Sequence, residues 1–124
     1  MDSTTSLSHP FSQPLLQIST ETFFACDLRV GAVTGCELNT KARKPAYKLT
    51  IDFGELGPRT SSAQLTALYT PEQLLGRQIV AVINFAPRNV AGVESQCLVL
   101  GVDTPGGVAL LAMERTVENG SRVY

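Results

Sequence analysis

The sequence predicts an all-β fold: a five-stranded barrel with a short helix between its third and fourth strands, flanked by one further short helix and strand. Three observations carry this expectation. Tyr47, Leu49, Ile51 and Phe53 alternate with Lys48, Thr50 and Asp52, the pattern of a strand buried on one face. Two later runs, 78–85 and 96–101, are apolar and rich in β-branched residues. Between these regions, Thr70-Pro71-Glu72-Gln73 supplies an N-cap, a proline at the first helical position and a capping-box glutamine.

Length and composition agree with one such unit. A chain of 124 residues is the size of a single domain, and a fold of this length buries roughly two-thirds of its unfolded surface. With 44% hydrophobic and 17% charged residues, the composition excludes a disordered chain as the main reading.

In chain order, residues 1–18 are rich in Ser, Thr, Pro and Gln without a sustained period and read as a flexible tail, with the domain spanning 19–124. Ser19 or Thr20 can cap a short helix through Phe23 and Phe24, whose rings need cover from the core or from a partner chain. Residues 27–36 form the first strand, with Gly31 and Gly35 permitting a bend, and 47–53 the second. After Gly54, Gly57 and Pro58, residues 59–65 return as the third. The capped helix follows and stops at Gly76. Residues 78–85 and 96–101 are strands four and five, and 108–113 form one more short strand after Pro105-Gly106-Gly107. Five strands with a helix between the third and fourth match the order of an OB-type barrel, whose ligands sit on strands two and three and on the loops joining one to two and four to five.

The two loops thus singled out differ in character. Residues 39–48 hold Lys41, Arg43, Lys44 and Lys48 without an acid, in a chain whose net charge is −1. Such a cluster contacts phosphates or is simply a solvated loop; the near-neutral chain has no bulk positive field for nucleic acid. In the other loop Arg88 presents a planar fork, and Asn84, Ser95 and Gln96, with Ser61 and Ser62 on the facing strand, offer paired donors and acceptors suited to a polymer backbone. The plainer alternative is that Asn84 and Ser95 satisfy peptide groups at the loop base while Arg88 is solvated. Tyr47 shares its strand face with core residues, whereas Phe85 suits either a groove wall or the core.

Enzyme chemistry finds little purchase. The one histidine, His9, lies in the tail, so no triad is expected. Asp27, Asp52, Glu55 and Glu94 show no paired spacing for acid–base or metal chemistry, and neither a Walker nor a dinucleotide glycine motif occurs. No cofactor or metal is expected. Cys26, Cys36 and Cys97 cannot all pair within one chain and read as reduced thiols buried on apolar strands. No apolar run approaches the roughly 20 residues of a membrane span, and the amino-terminal stretch lacks the features of a secretory signal, so a cytoplasmic protein is expected.

RTSSAQLTALYTPEQLLGRQIVAVINFAPRNVAGVESQCLVLG at 59–101 resembles the free-standing tRNA-binding domains, OB modules also found attached to methionyl- and phenylalanyl-tRNA synthetases. KPAYKLTIDFG at 44–54 and the SSAQ at 61–64 are similar to the CsaA-like branch of secretion chaperones. The resemblance implies an OB barrel that pairs into a homodimer through segments at both chain ends. It implies binding of unfolded or precursor polypeptides in connection with export machinery, or, for the wider family, of tRNA. Carried onto this chain, the recognition positions are Asn84, Arg88, Ser95, Ser61 and Ser62, with Lys48 as a weaker addition. Where tRNA-binding members often carry glycine and methionine after the serine motif, this chain has Cys97 and Leu98; its first loop, KARKPAYKL, also departs from the family's usual mixture of bases and acids. Both departures favour polypeptide.

Overall fold

The computed structural model describes residues 13–124. Residues 13–18 of the expected tail carry no regular structure, and His9, like the rest of 1–12, lies outside the described residues. Helix α1 (Thr20–Phe24) starts where Ser19 accepts a hydrogen bond from the Thr22 N–H at 3.1 Å. Phe23 and Phe24 pack edge to face on each other but remain 40% and 48% exposed, so the core does not supply the cover their rings call for.

The barrel is built from β1 (Leu28–Leu38), β2 (Tyr47–Asp52), β3 (Pro58–Ala63), β4 (Gln78–Val82) and β7 (Leu98–Val99), in the antiparallel order β3-β2-β1-β4-β7. Helix α2 (Pro71–Leu74) joins β3 to β4 with the capping box the sequence predicts. Two hairpins complete the fold: β5 (Arg88–Val90) with β6 (Val93–Ser95), and β8 (Gly101–Thr104) with β9 (Gly107–Leu110). This is the OB-type barrel expected from the order of elements.

The length of β1 lets it serve two neighbours. Its first half pairs with β4 and its second with β2, and the register shift between Val33 and Gly35 bends the strand from one to the other. Where β2 ends, the carboxy-terminal segment takes its place beside β1: Val30 N–H donates to the Ser121 carbonyl, Gly120 N–H to that of Val30, and Val123 N–H to that of Leu28. That segment crosses residues 53–54 so closely that a Cβ on Gly54 would strike the Asn119 carbonyl and one on Gly120 the Phe53 carbonyl, and both glycines hold positive φ, +65° and +93°.

The core is filled from the alternating face of β2. Leu49, Ile51 and Phe53 are fully buried, Tyr47 nearly so, and they pack with Val33, Leu65, Leu74, Ile79 and Ile83. Tyr47 belongs to the core as its strand phase predicts.

Several boundaries differ from expectation. β3 ends at Ala63 because the chain turns there, with Leu65 N–H donating to the Ala63 carbonyl, and β4 ends at Val82 rather than running to residue 85. The predicted fifth strand is split: Leu100 gives its N–H to Val80 and its carbonyl to Leu111 N–H, so the chain leaves the barrel after Val99 to form the β8–β9 hairpin. The last predicted strand, 108–113, is the second arm of that hairpin, Gly107–Leu110. The thiols also need correction. Cys97 is buried but lies between β6 and β7, Cys36 on β1 is half-buried, and Cys26 is half-buried between α1 and β1.

Within the loop joining β4 to β7, the β5–β6 hairpin turns through Ala91 and Gly92, both at positive φ, 50° and 87°. That is the geometry of a type I′ turn, where asparagine is favoured and alanine is strained. Ala91→Asn should therefore raise stability by about 0.5–1 kcal/mol, read from the urea midpoint at unchanged m. An unchanged or lower midpoint would contradict a strained turn.

Candidate functional site

The β5–β6 hairpin folds over the edge of β3, and the cleft between them gathers part of the predicted set. It has a volume of ≈ 250 Å³ and is lined by Ser62, Phe85, Arg88, Ser95 and Leu98. Phe85 and Leu98 are 54% and 51% exposed, so two apolar walls face solvent beside a guanidinium. Phe85 is a groove wall and not a core residue.

The other predicted residues divide by what their side chains hold. Asn84 accepts from Asp27 N–H at 2.9 Å and donates from Nδ2 to the Ala25 carbonyl at 2.8 Å, tying α1 to the end of β4. Ser61 is buried, with its hydroxyl donating to the Cys97 carbonyl at 3.0 Å. Gln96 Oε1 accepts from Thr60 N–H at 2.9 Å, while Gln96 N–H donates to the Thr60 carbonyl at 2.8 Å. Ser95 Oγ accepts from Ser62 N–H at 3.2 Å. Ser95 and Gln96 thus close the barrel against β3 through their side chains and one main-chain bond, in place of a strand ladder, at the rim of the cleft.

That leaves Arg88 and the Ser62 hydroxyl as cleft groups without a side-chain hydrogen bond among the described residues. The ion pairs among these residues, Arg29–Asp27 at 2.6 Å and Arg115–Glu114 at 3.0 Å, do not involve Arg88 or the basic loop. Lys41 and Lys48 lie with Glu37 and Gly92 on one side of the hairpin tip, around a small depression of ≈ 190 Å³. Arg43 and Lys44 lie on the other side, around a broader one of ≈ 740 Å³ that reaches Gln64 and Val90. The basic residues therefore flank the hairpin and do not line the Arg88 cleft, although Val90 borders both.

Two supports of this arrangement escape a reading of the sequence. Asn39 holds its own loop by accepting from Lys41 N–H at 3.1 Å and reaches the hairpin by donating to the Ala91 carbonyl at 3.3 Å. Asn89 accepts from Gly92 N–H at 3.1 Å inside the turn. The signal available for both was an asparagine two or three residues ahead of a turn, the Asx pattern.

At the cleft floor, burial pushes the Cys97 thiol up to about 11, against smaller opposing effects of the Ser61 hydroxyl and the Arg59 charge. Burial and the carboxylates of Glu72 and Glu37 also raise Cys36. Cys97 should then resist a disulfide reagent at pH 8 in the native state and react only on unfolding. Because the folded value lies above the unfolded one, its contribution to stability is complete below the ordinary thiol value near 9.0 and declines as pH rises toward about 11. Rapid native labelling of Cys97 at pH 8 would contradict this. Among the described residues no group of three or more His, Cys, Asp or Glu is placed to hold a metal, and no helix is long and apolar enough to cross a membrane.

An OB-type barrel with a mixed apolar and hydrogen-bonding cleft beside a basic loop defines a binding module. The family model described as "Putative tRNA binding domain" matches residues 28–122, and the chain belongs to that family. Among curated proteins it is 36% identical over 107 residues to a methionine–tRNA ligase of Methanosarcina mazei and 38% identical over 112 residues to that of Pyrococcus furiosus. These matches cover 86% and 90% of this chain but only 15% of each ligase. Among solved structures, the chaperone CsaA of Bacillus anthracis is 49% identical with a TM-score of 0.83, covering 88% of this chain and 100% of the other. CsaA of Picrophilus torridus is 38% identical at a TM-score of 0.82, with 87% and 100% covered. A MetRS related protein of Pyrococcus horikoshii is 30% identical at 0.79, with 89% and 100% covered.

Proposed function

We propose that this protein is a CsaA-like, non-enzymatic chaperone that holds unfolded or precursor polypeptides in the clefts of a cytoplasmic homodimer, in the service of protein export. The observation that carries the reading is the Arg88 cleft, where a guanidinium with no ion pair or side-chain hydrogen bond among the described residues stands between exposed Phe85 and Leu98. Unfolded chains expose carbonyls and apolar side chains together, and a cleft offering both binds many sequences weakly. The likeness to CsaA chaperones over their whole length supports it. Exposed Leu15, Leu16, Ile18, Phe23, Phe24 and Tyr124, at the two ends of the described chain, supply apolar area for a second copy.

The test is a fluorescence anisotropy titration of labelled, reduced and carboxymethylated lactalbumin, a permanently unfolded probe. Saturable binding by a species of twice the chain mass is expected; a monomer, or no saturation, would remove the reading. A structure-selective tRNA-binding protein is the second reading, favoured by the family match and by Lys41, Arg43, Lys44 and Lys48 around the hairpin. Its mark is an affinity that falls with a log–log salt slope of about −0.7 to −0.9 per phosphate neutralised.

A further inference from the structure

The barrel is left open at one place on its seam. β7 pairs with β4 through Ala81↔Val99 and Val82↔Leu98, and Leu100 N–H donates to the Val80 carbonyl at 2.9 Å. Along an antiparallel strand, successive residues direct their main-chain groups to opposite edges. With Leu100 turned toward β4, Val99 turns its N–H and C=O away from it, and neither bonds another group among the described residues. On the facing side, β3 is joined to the chain ahead of β7 by Gln96 at Thr60, by Ser61 at the Cys97 carbonyl and by Ser95 at Ser62, and among the described residues no such bond reaches Val99. Past Ser62 a second cleft of ≈ 270 Å³ opens, walled by Ala63, Leu65, Leu98 and Leu110. Ser62 and Leu98 line both this cleft and the Arg88 cleft, so the two lie side by side along the seam.

We propose that a bound polypeptide docks here as an added strand on the free edge of β7, exchanging N–H···O bonds with the Val99 main chain and setting alternate side chains into the two clefts. The proposal rests on the polypeptide reading above and specifies how that ligand is held. An extended peptide is the occupant because it carries an amide donor and a carbonyl acceptor on one edge, which a nucleotide backbone does not. The residue bonded to Val99 is flanked by two whose side chains share one face, about 6.6–6.8 Å apart, the separation that adjacent clefts require. Free edges in soluble proteins are ordinarily blunted by lysine, proline or a covering element; Leu98-Val99-Leu100 carries none of the first two and exposes Leu98. Main-chain bonding also suits a binder of many sequences, since it asks only for extension and for apolar residues at alternate positions.

The experiment takes overlapping twelve-residue peptides of lactalbumin, selects the tightest binder, and compares it with two versions N-methylated at complementary alternate residues. One set should lose at least tenfold in affinity while the other stays within twofold. Val99→Pro, which removes an N–H unbonded among the described residues but also trims Val99 packing on the core, should cost at least tenfold for the unmethylated peptide when assayed well below its lowered melting transition. Equal affinities for the two methylated sets would overturn the added strand even if the proline variant failed to fold. If neither the peptides nor the whole unfolded chain bound, the polypeptide reading would fall and this inference with it; binding insensitive to which set is methylated would remove this inference alone.

Discussion

Arg88→Glu will cut affinity for carboxymethylated lactalbumin by at least about tenfold, the consequence of replacing a charge-assisted donor by a charge that repels carbonyl oxygens. Stability should hardly move. Arg88 is exposed and makes no ion pair among the described residues, and substitutions at such positions stay within about 0.5 kcal/mol. The contrast with Asn84 is the informative part. Its amide joins α1 to β4 through two hydrogen bonds, so Asn84→Ala should lower the melting temperature and affect binding only through that loss. If Arg88→Glu bound normally while Asn84→Ala abolished binding at unchanged stability, the assignment of roles would be reversed.

The largest effect on stability is expected at Leu49. Its side chain is wholly buried at the centre of β2, with Cys36 across from it on β1 and Ser61 on β3. Truncation to alanine removes the contacts of three carbons and leaves a cavity among side chains that have little freedom to collapse, at a cost of about 3–4 kcal/mol. For a domain of this size that is a drop in melting temperature of roughly 10 °C or more. Calorimetry checks it, and a loss under about 1 kcal/mol would mean the core relaxes far more than its packing implies.

Leu49 also shows why the barrel is legible in the sequence. An alternating strand states its own face, and a capping box states where a helix begins, because both signals lie within a few adjacent residues. The hairpin at 88–95 gave no such signal: its turn is Ala91-Gly92, and alanine is not a residue that advertises positive φ. The site was half legible for the same reason. Asn84, Ser95 and Gln96 are polar residues in a loop, but their partners at Ala25, Asp27, Ser62 and Thr60 lie 33 to 59 positions away. Residue type announced hydrogen bonding, while only the fold shows that these groups hold the barrel together and leave Arg88 exposed in the cleft.

The groove as a polypeptide site is the central claim, and a competition titration addresses it most directly. Labelled carboxymethylated lactalbumin is bound to the purified protein at 0.1 M and 0.5 M salt, and unlabelled tRNA is added. A cleft that works through apolar walls and one guanidinium should retain the polypeptide at both salt concentrations and release little of it to tRNA. Complete displacement at 0.1 M, with polypeptide binding itself lost at 0.5 M, would contradict the account and make the basic residues around the hairpin the true binding surface.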